Sequence, residues 1–175
     1  MKSVISYVYK VDFGYDIVDL SKFENEYQIV LWKPGLTQII PQGFSKKYIL
    51  YWIFHYLGIF KNKFYCAVLV YSGGNLISKM IVTPAYFKFP FMEQNDLQFT
   101  YSVTESSFRG QGINTHVKFF VMQKFQFEKV NFIGVVDPEN ISSIRVLTKL
   151  GMTFRFQVKR FFYLNNLPFY FLDKF

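Results

Sequence analysis

Residues 97 to 115 place the tightest constraint on the fold. Leu97 to Thr104 is a run of β-formers. Ile113, Val117, Phe120, Val121 and Phe125 then recur at i, i+4, i+7, i+8 and i+12, the period of a helix with one buried face. Between them lies only the loop from Glu105 to Gln111, and Gly112 directly precedes the helix. The first N–H groups of such a helix have no partner within it and carry partial positive charge. Gly110 and Gly112 let the backbone come close to a ligand. The result is an anion cradle suited to a pyrophosphate, with Arg109 as a permanent charge beside it. On residue chemistry alone, two readings stay open: this cradle, or a glycine-rich turn that holds nothing.

Two other phosphate loops are excluded. A Walker loop needs Gly-Lys-Ser/Thr, which is absent. A dinucleotide fingerprint needs a third glycine and a following acidic residue, and the pattern here stops at G-x-G-x-x-x.

The rest of the chain predicts a mixed sheet. Tyr27 to Trp32 reads as a first strand and Phe44 to Phe60 as helix in two pieces. Phe64 to Tyr71 and Leu76 to Val82 form a hairpin about Ser72-Gly73-Gly74-Asn75. Pro84 and Pro90 make residues 84 to 96 a loop. After the helix from Ile113, Val130 to Val136 is a strand. Asp137-Pro138 opens another helix, which ends at Lys149-Leu150-Gly151. Two strands, Met152 to Leu164 and Pro168 to Lys174, close the chain around Asn165-Asn166. This order fits an α+β or α/β domain around a mixed sheet, and neither a sandwich nor a Rossmann repeat. At 175 residues the chain suits a single domain, 1–175.

Composition narrows the function. Hydrophobic residues are 51% and charged residues 18%, so the chain can bury a core and is not disordered. The net charge of +8 attracts anions, but it is scattered, and no basic run marks a nucleic-acid tail. Cys66 is the one cysteine and lies in an apolar run, where an inert buried thiol is expected. A lone cysteine and an N-terminus without a signal-peptide pattern point to a cytoplasmic setting. The most apolar segment, Tyr48 to Phe60, falls short of the roughly 20 residues that span a bilayer, so no transmembrane segment is expected. A buried helix is the main reading there, and an interfacial membrane contact the lesser one. His55 and His116 belong to no ligand cluster, so no metal is expected. A homodimer is left open.

A family resemblance separates the two readings of the loop. Arg109-Gly110-Gln111-Gly112-Ile113-Asn114 resembles the Arg/Gln-x-x-Gly-x-Gly/Ala pattern of the GNAT (Gcn5-related N-acetyltransferase) superfamily, with Asn114 departing at the last position. Asn140-Ile-Ser-Ser-Ile-Arg-Val-Leu-Thr-Lys-Leu-Gly-Met152 is similar to that family's second helix. The resemblance covers about residues 64 to 160, and the first 60 carry no motif. It implies a GNAT-like acyl-CoA N-acyltransferase fold with acetyl-CoA as co-substrate. Two parallel strands would splay so that pantetheine lies between them. Val103 and Thr104 would offer main-chain bonds to it. Val103 stands one residue further from Arg109 than the family's valine, an offset that a bulge would absorb. Backbone N–H groups of Gly110, Gln111, Gly112, Ile113, Asn114 and Thr115 would hold the pyrophosphate, with the Thr115 hydroxyl. Asn140 and Ser143 would meet the pantetheine arm, with helix capping as the plainer role. Arg145 and Lys118 would meet the 3′-phosphate, against the simpler reading of solvated surface charges.

The same resemblance implies a general base, which would be Glu105, with Asp96 and Glu93 as weaker choices; a surface glutamate is an equal reading of Glu105. The usual tyrosine acid is replaced by Leu147, leaving a serine, a water, Tyr101 or Tyr163. The stretch Pro84 to Gln98 is similar to members from cell-surface polysaccharide clusters. It would place Tyr86, Lys88 and Asp96 in one acceptor cleft and make the acceptor a small amine such as an amino sugar. The alternatives are a protein or peptide acetyltransferase and a non-catalytic CoA-binding module.

Overall fold

The computed structural model describes residues 3–163 and 167–172. Its strands are β1 (Ser3–Val11), β2 (Gln28–Trp32), β3 (Cys66–Ser72), β4 (Asn75–Pro84), β5 (Asp96–Thr104), β6 (Asn131–Val136), β7 (Thr153–Tyr163) and β8 (Leu167–Leu172). The helices are α1 (Ser21–Glu26), α2 (Ile49–Tyr56), α3 (Ile113–Lys124) and α4 (Ile141–Lys149). The strands form one mixed sheet in the order β2-β3-β4-β5-β6-β1-β7-β8. This is the expected α+β architecture. The Asn165-Asn166 turn and the side chain of Tyr163 lie outside the described residues.

Local chemistry accounts for the connections. Ser72 pairs with Asn75 across Gly73 and Gly74, both at positive φ (55° and 81°). That two-residue turn matches the right-handed twist of the strands it joins. Among the described strands, β5 and β6 form the one parallel pair, and a parallel pair needs a crossover, supplied by α3. Helix α4 starts later than the sequence predicts. Asp137 does not cap it: its Oδ1 accepts from the Glu139 N–H at 2.9 Å and shapes a turn. Asn140 caps the helix, its Oδ1 accepting from the Ser143 N–H at 3.0 Å.

The expected order opens at Tyr27, and the structure corrects it. Strand β1 precedes that point and is central, lying between β6 and β7 and antiparallel to both. Its sequence, Ser3-Val-Ile-Ser-Tyr-Val-Tyr-Lys-Val11, is rich in β-branched and aromatic residues. Apolar side chains stand on both faces, Tyr7, Tyr9 and Val11 packing on one and Val8 on the other, so alternation along the strand is weak.

The core is split by the sheet into two clusters. One joins α1, α3 and α4 to Val68, Val70, Met80, Val82, Leu97 and Phe99. The other joins α2 and the segment after β4 to Ala67, Ile81, Ile133 and Val158, and is dominated by Tyr48, Phe54, Phe60, Tyr65, Tyr86 and Phe89. Helix α3 buries Ile113, Val117, Phe120 and Val121, as its periodicity requires.

Candidate active site

Strands β5 and β6 pair only from Asp96 opposite Asn131 to Phe99 opposite Gly134. Beyond this, β5 runs on to Thr104 and β6 to Val136 without pairing to each other. The reason lies in β5. Thr100 opposes Ile81 of β4, yet Val103 opposes Lys79, so Tyr101 and Ser102 share one partner position. Tyr101 sits at φ 45°, rare for a residue with a side chain. Such a bulge bends and twists the strand away from its neighbour.

The gap between the strands is a cavity of about 200 Å³ that includes Phe99, Tyr101, Ser102, Lys118, Gly134, Asn140, Ser143 and Leu147 in its wall. It shares Ser102, Asn114, Ser143 and Val146 with a larger cleft of about 590 Å³. That cleft takes in Val103, Thr104, Arg109, Gly110, Gly112, Ile113 and Thr115 from β5 and the loop, and Ser142, Arg145 and Lys149 from α4. Among the described residues, three cationic ones line it and no acidic one does.

The loop has the anion-cradle form. Gly110 and Gly112 sit at φ 80° and 79°, and Gly112 is the N-cap of α3 without a side-chain cap bond. An uncapped start leaves helix N–H groups for a ligand. A Cβ at Gly112 would stand 3.2 Å from the His116 ring, so both conformation and space call for glycine. Arg109 donates from Nε to the Thr104 carbonyl at 3.1 Å, which folds its guanidinium over the end of β5.

Other expected residues fall differently. Gln111 does not line the cleft: its side chain accepts from the Tyr27 hydroxyl (3.3 Å) and donates to the Ser107 carbonyl (3.3 Å), tying the loop to α1. Val103 and Thr104 line the cleft, but their carbonyls already accept from Ser78 Oγ (3.1 Å) and Arg109 Nε. Asn140 spends its Oδ1 on the α4 cap and on the Ser142 hydroxyl. Ser143 keeps its side chain at the gap.

The proposed carboxylates do not converge. Asp96 and Glu105 stand at opposite ends of β5, about 30 Å apart at the rise of a strand, so they cannot serve one reacting carbon. Asp96 is buried and fully engaged: Lys10 Nζ at 3.1 Å, Asn131 Nδ2 at 2.9 Å and the Glu93 N–H at 2.8 Å. Glu93 pairs with Lys10 at 3.3 Å in the same cluster. That is an ion-pair cluster fixing the parallel start of β5 and β6. Glu105 is exposed, and its N–H donates to the Ile77 carbonyl at the phosphate end. Tyr86, Lys88 and Asp96 do not come together at the gap, and Asp96 lines a separate cavity with Lys10 and Glu93. Residues 85 to 92 pack on the α2 face, opposite α3 and α4. Tyr86 is buried among Phe54, Phe60 and Phe89, Lys88 lies beside Phe89, and neither lines the gap.

The largest correction is Lys118. It is buried, not a solvated surface charge, and it lines the gap. Its Nζ donates to Asn114 Oδ1 and to Ser102 Oγ (3.4 Å) and lies 5.7 Å from the Phe99 ring centroid. Burial pulls its pKa down to about 7. The signal was present in the sequence: Lys118 precedes Val121 by three and Phe125 by seven, at the edge of the apolar stripe of α3. Leu147, at the position where the family's tyrosine is usual, is buried against β6. A Cβ at Gly134 would meet its Cδ atoms at 2.6 Å, so the leucine fills the floor of the gap and Gly134 makes room for it. Cys66 is buried with its thiol pushed up to about 12, the inert state its surroundings predict.

Among the described residues, the mixed sheet thus has a parallel pair that splays beside an uncapped, cation-rimmed helix start. Comparison with known proteins agrees. The profile of the acetyltransferase (GNAT) domain matches residues 36–153. The chain belongs to the GNAT acetyltransferase family. Its fold is similar to that of a GNAT-family protein from Novosphingobium aromaticivorans (12% identity, TM-score 0.59, 91% of this chain and 63% of that one). A GCN5-related N-acetyltransferase-like protein from Streptococcus suis is alike at 13% identity and TM-score 0.59, over 90% of this chain and 60% of that one. So is a fungal multi-domain β-N-acetylglucosaminidase bearing a glucosamine N-acetyltransferase region (10% identity, TM-score 0.57, 89% of this chain and 20% of that one). The chain thus spans less than two thirds of the length of these solved proteins. No curated protein matches it in sequence.

Proposed function

We propose that this chain transfers an acyl group, in the first instance acetyl, from acyl-CoA to the primary amine of a small acceptor. The observation that carries the reading is the continuity of two spaces. The cation-rimmed cleft at the start of α3 adjoins the gap between β5 and β6, with Ser102, Asn114, Ser143 and Val146 common to both. A ligand with a polyphosphate at one end and a thin arm at the other fits that shape.

In this reading the pyrophosphate rests on the N–H groups of the loop, with Arg109, Arg145 and Lys149 supplying charge. The arm passes between the strands and brings the thioester to Phe99 and Gly134, where pairing resumes. Beyond Phe99, β5 has lost β6 as a hydrogen-bonding partner, and a freed N–H there is the donor for the oxyanion. The neutral amine attacks the thioester carbonyl. The C–N bond forms, the C–S bond breaks, and CoA leaves as thiolate. The proton shed by nitrogen returns to the thiolate, with the Tyr101 hydroxyl at the gap as the acid.

The acceptor enters from the α2 face. Tyr101 reaches both sides: it lines the gap and packs against Phe44 and Tyr48, with ring centroids 5.6 and 5.1 Å away. Lys47 lies 5.6 Å from the Tyr101 ring and Lys79 5.5 Å from that of Phe44. Aromatic faces beside two lysines favour an amine carried on an anionic small molecule, such as a phosphate-linked amino sugar, and disfavour a lysine-rich protein tail. Thiol release from acetyl-CoA is to be followed with amino-sugar phosphates, simple amines and lysine peptides, beside a melting curve with acetyl-CoA. Turnover with the first group is the expected result. Stabilisation without turnover of any amine would leave a binding module, and no stabilisation at millimolar acetyl-CoA would remove the reading.

A further inference from the structure

We propose that Lys118 is a site of self-acylation, its side-chain amine taking the acyl group from acyl-CoA held in the gap. The inference rests on the CoA-site reading above and adds a covalent modification to it.

Three observations carry it. Lys118 lines the gap together with Phe99 and Gly134, where the strands part, and its Nζ lies 5.7 Å from the Phe99 ring centroid. Nζ donates to two uncharged oxygens, Asn114 Oδ1 and Ser102 Oγ. Two donated bonds account for both N–H groups of a neutral amine and leave its lone pair as the remaining tetrahedral position. No ion pair is formed by Lys118 among the described residues, so no carboxylate contact stabilises its charged form. The pKa near 7 set by burial agrees with that geometry. A neutral, desolvated lysine is the form in which this side chain is a nucleophile.

The step balances without another reagent. The Nζ lone pair attacks the thioester carbonyl, the C–N bond forms, the C–S bond breaks, and the proton lost by nitrogen goes to the CoA thiolate. The products are N-acyl-Lys118 and CoA.

The other ionisable groups that line the gap are Tyr101 from β5 and Asp137 after β6; α4 presents Asn140 and Ser143 to it, neither charged, and Arg145 and Lys149 line the adjoining cleft. On α3 itself, His116 is turned away and stacks on Phe23 at 4.8 Å.

The experiment uses the intact chain and acetyl-CoA, with no acceptor amine, read by intact mass and peptide mapping. A melting curve with acetyl-CoA is taken on the same preparation. The expected result is one acetyl group per chain, on Lys118. Its rate falls about tenfold per pH unit below about 7 and levels above it. Excess free CoA suppresses it, and Lys118→Arg abolishes it. The CoA control needs no variant, so a misfolded substitution cannot decide the outcome. Stabilisation by acetyl-CoA without an adduct on Lys118 overturns this proposal and leaves the CoA site standing. An adduct that forms equally fast in urea, or that free CoA does not suppress, is ordinary lysine chemistry and also overturns it. Absence of stabilisation overturns both readings together.

Discussion

Replacing Lys118 by Met removes a buried amine and keeps a side chain of similar length, and the effect on stability should depend on pH in a defined direction. The folded chain holds the Lys118 proton with a pKa near 7, against an ordinary 10.5. Its folded value is therefore depressed. Between those limits the unfolded chain binds a proton that the folded chain does not, so the parent gains stability as pH rises. Below about 7 both states are protonated and the cost of burying the charge is at its maximum and constant. One pKa unit is about 1.4 kcal/mol, so from pH 7 to pH 9 the parent should gain about 2 kcal/mol from this group, and Lys118→Met should gain none of it. The lost bonds to Asn114 and Ser102 add an offset that does not vary with pH over this range. Urea unfolding of both proteins at half-unit steps from about pH 6.5 to 9.5 gives the difference directly, because the other titrating groups are common to both. The variant's relative advantage should be greatest at the acid end and shrink as pH rises. A parent-minus-variant difference that stays flat from pH 7 to 9, or grows toward acid in the parent's favour, would refute the buried, unpaired state of Lys118.

Three further outcomes follow from packing and backbone conformation. Gly134→Ala places a Cβ 2.6 Å from Leu147 Cδ1 and should cost about 1–3 kcal/mol in chemical unfolding, with much of it recovered in the Gly134→Ala, Leu147→Ala double variant; simple additivity would show that the two side chains do not compete for that space. Gly112→Val meets both a φ of 79° and the His116 ring, so it should lose about 1–2 kcal/mol of stability and the melting shift given by acetyl-CoA; retention of the full shift would show that the loop does not hold the pyrophosphate. Cys66, buried and with its thiol raised to about 12, should resist a thiol reagent in the folded chain at pH 8 and react once in urea; rapid reaction of the folded chain would place it at the surface.

The sequence alone determined the parts of this protein whose signals are local. The period of α3, the Gly73-Gly74 turn and the two glycines before Ile113 each express a backbone requirement within a few residues, and each stands where the pattern puts it. The resemblance of the loop and of the α4 segment fixed the family for the same reason. What the tertiary structure decided are the contacts between segments distant in sequence. Strand β1 sits between β6 and β7, and because apolar side chains stand on both of its faces its alternation is too weak to announce its place. Asp96 looks like a free carboxylate until Lys10, 86 residues away in the chain, is set 3.1 Å from it. Tyr86 looks like a cleft residue until α2 covers it. Lys118 is a surface charge in a list of residues and a buried amine in the fold, because the bulge at Tyr101 brings Ser102 and Phe99 over it. Burial and ionisation are properties of surroundings, and for these residues the surroundings come from strands that only the folded sheet puts side by side.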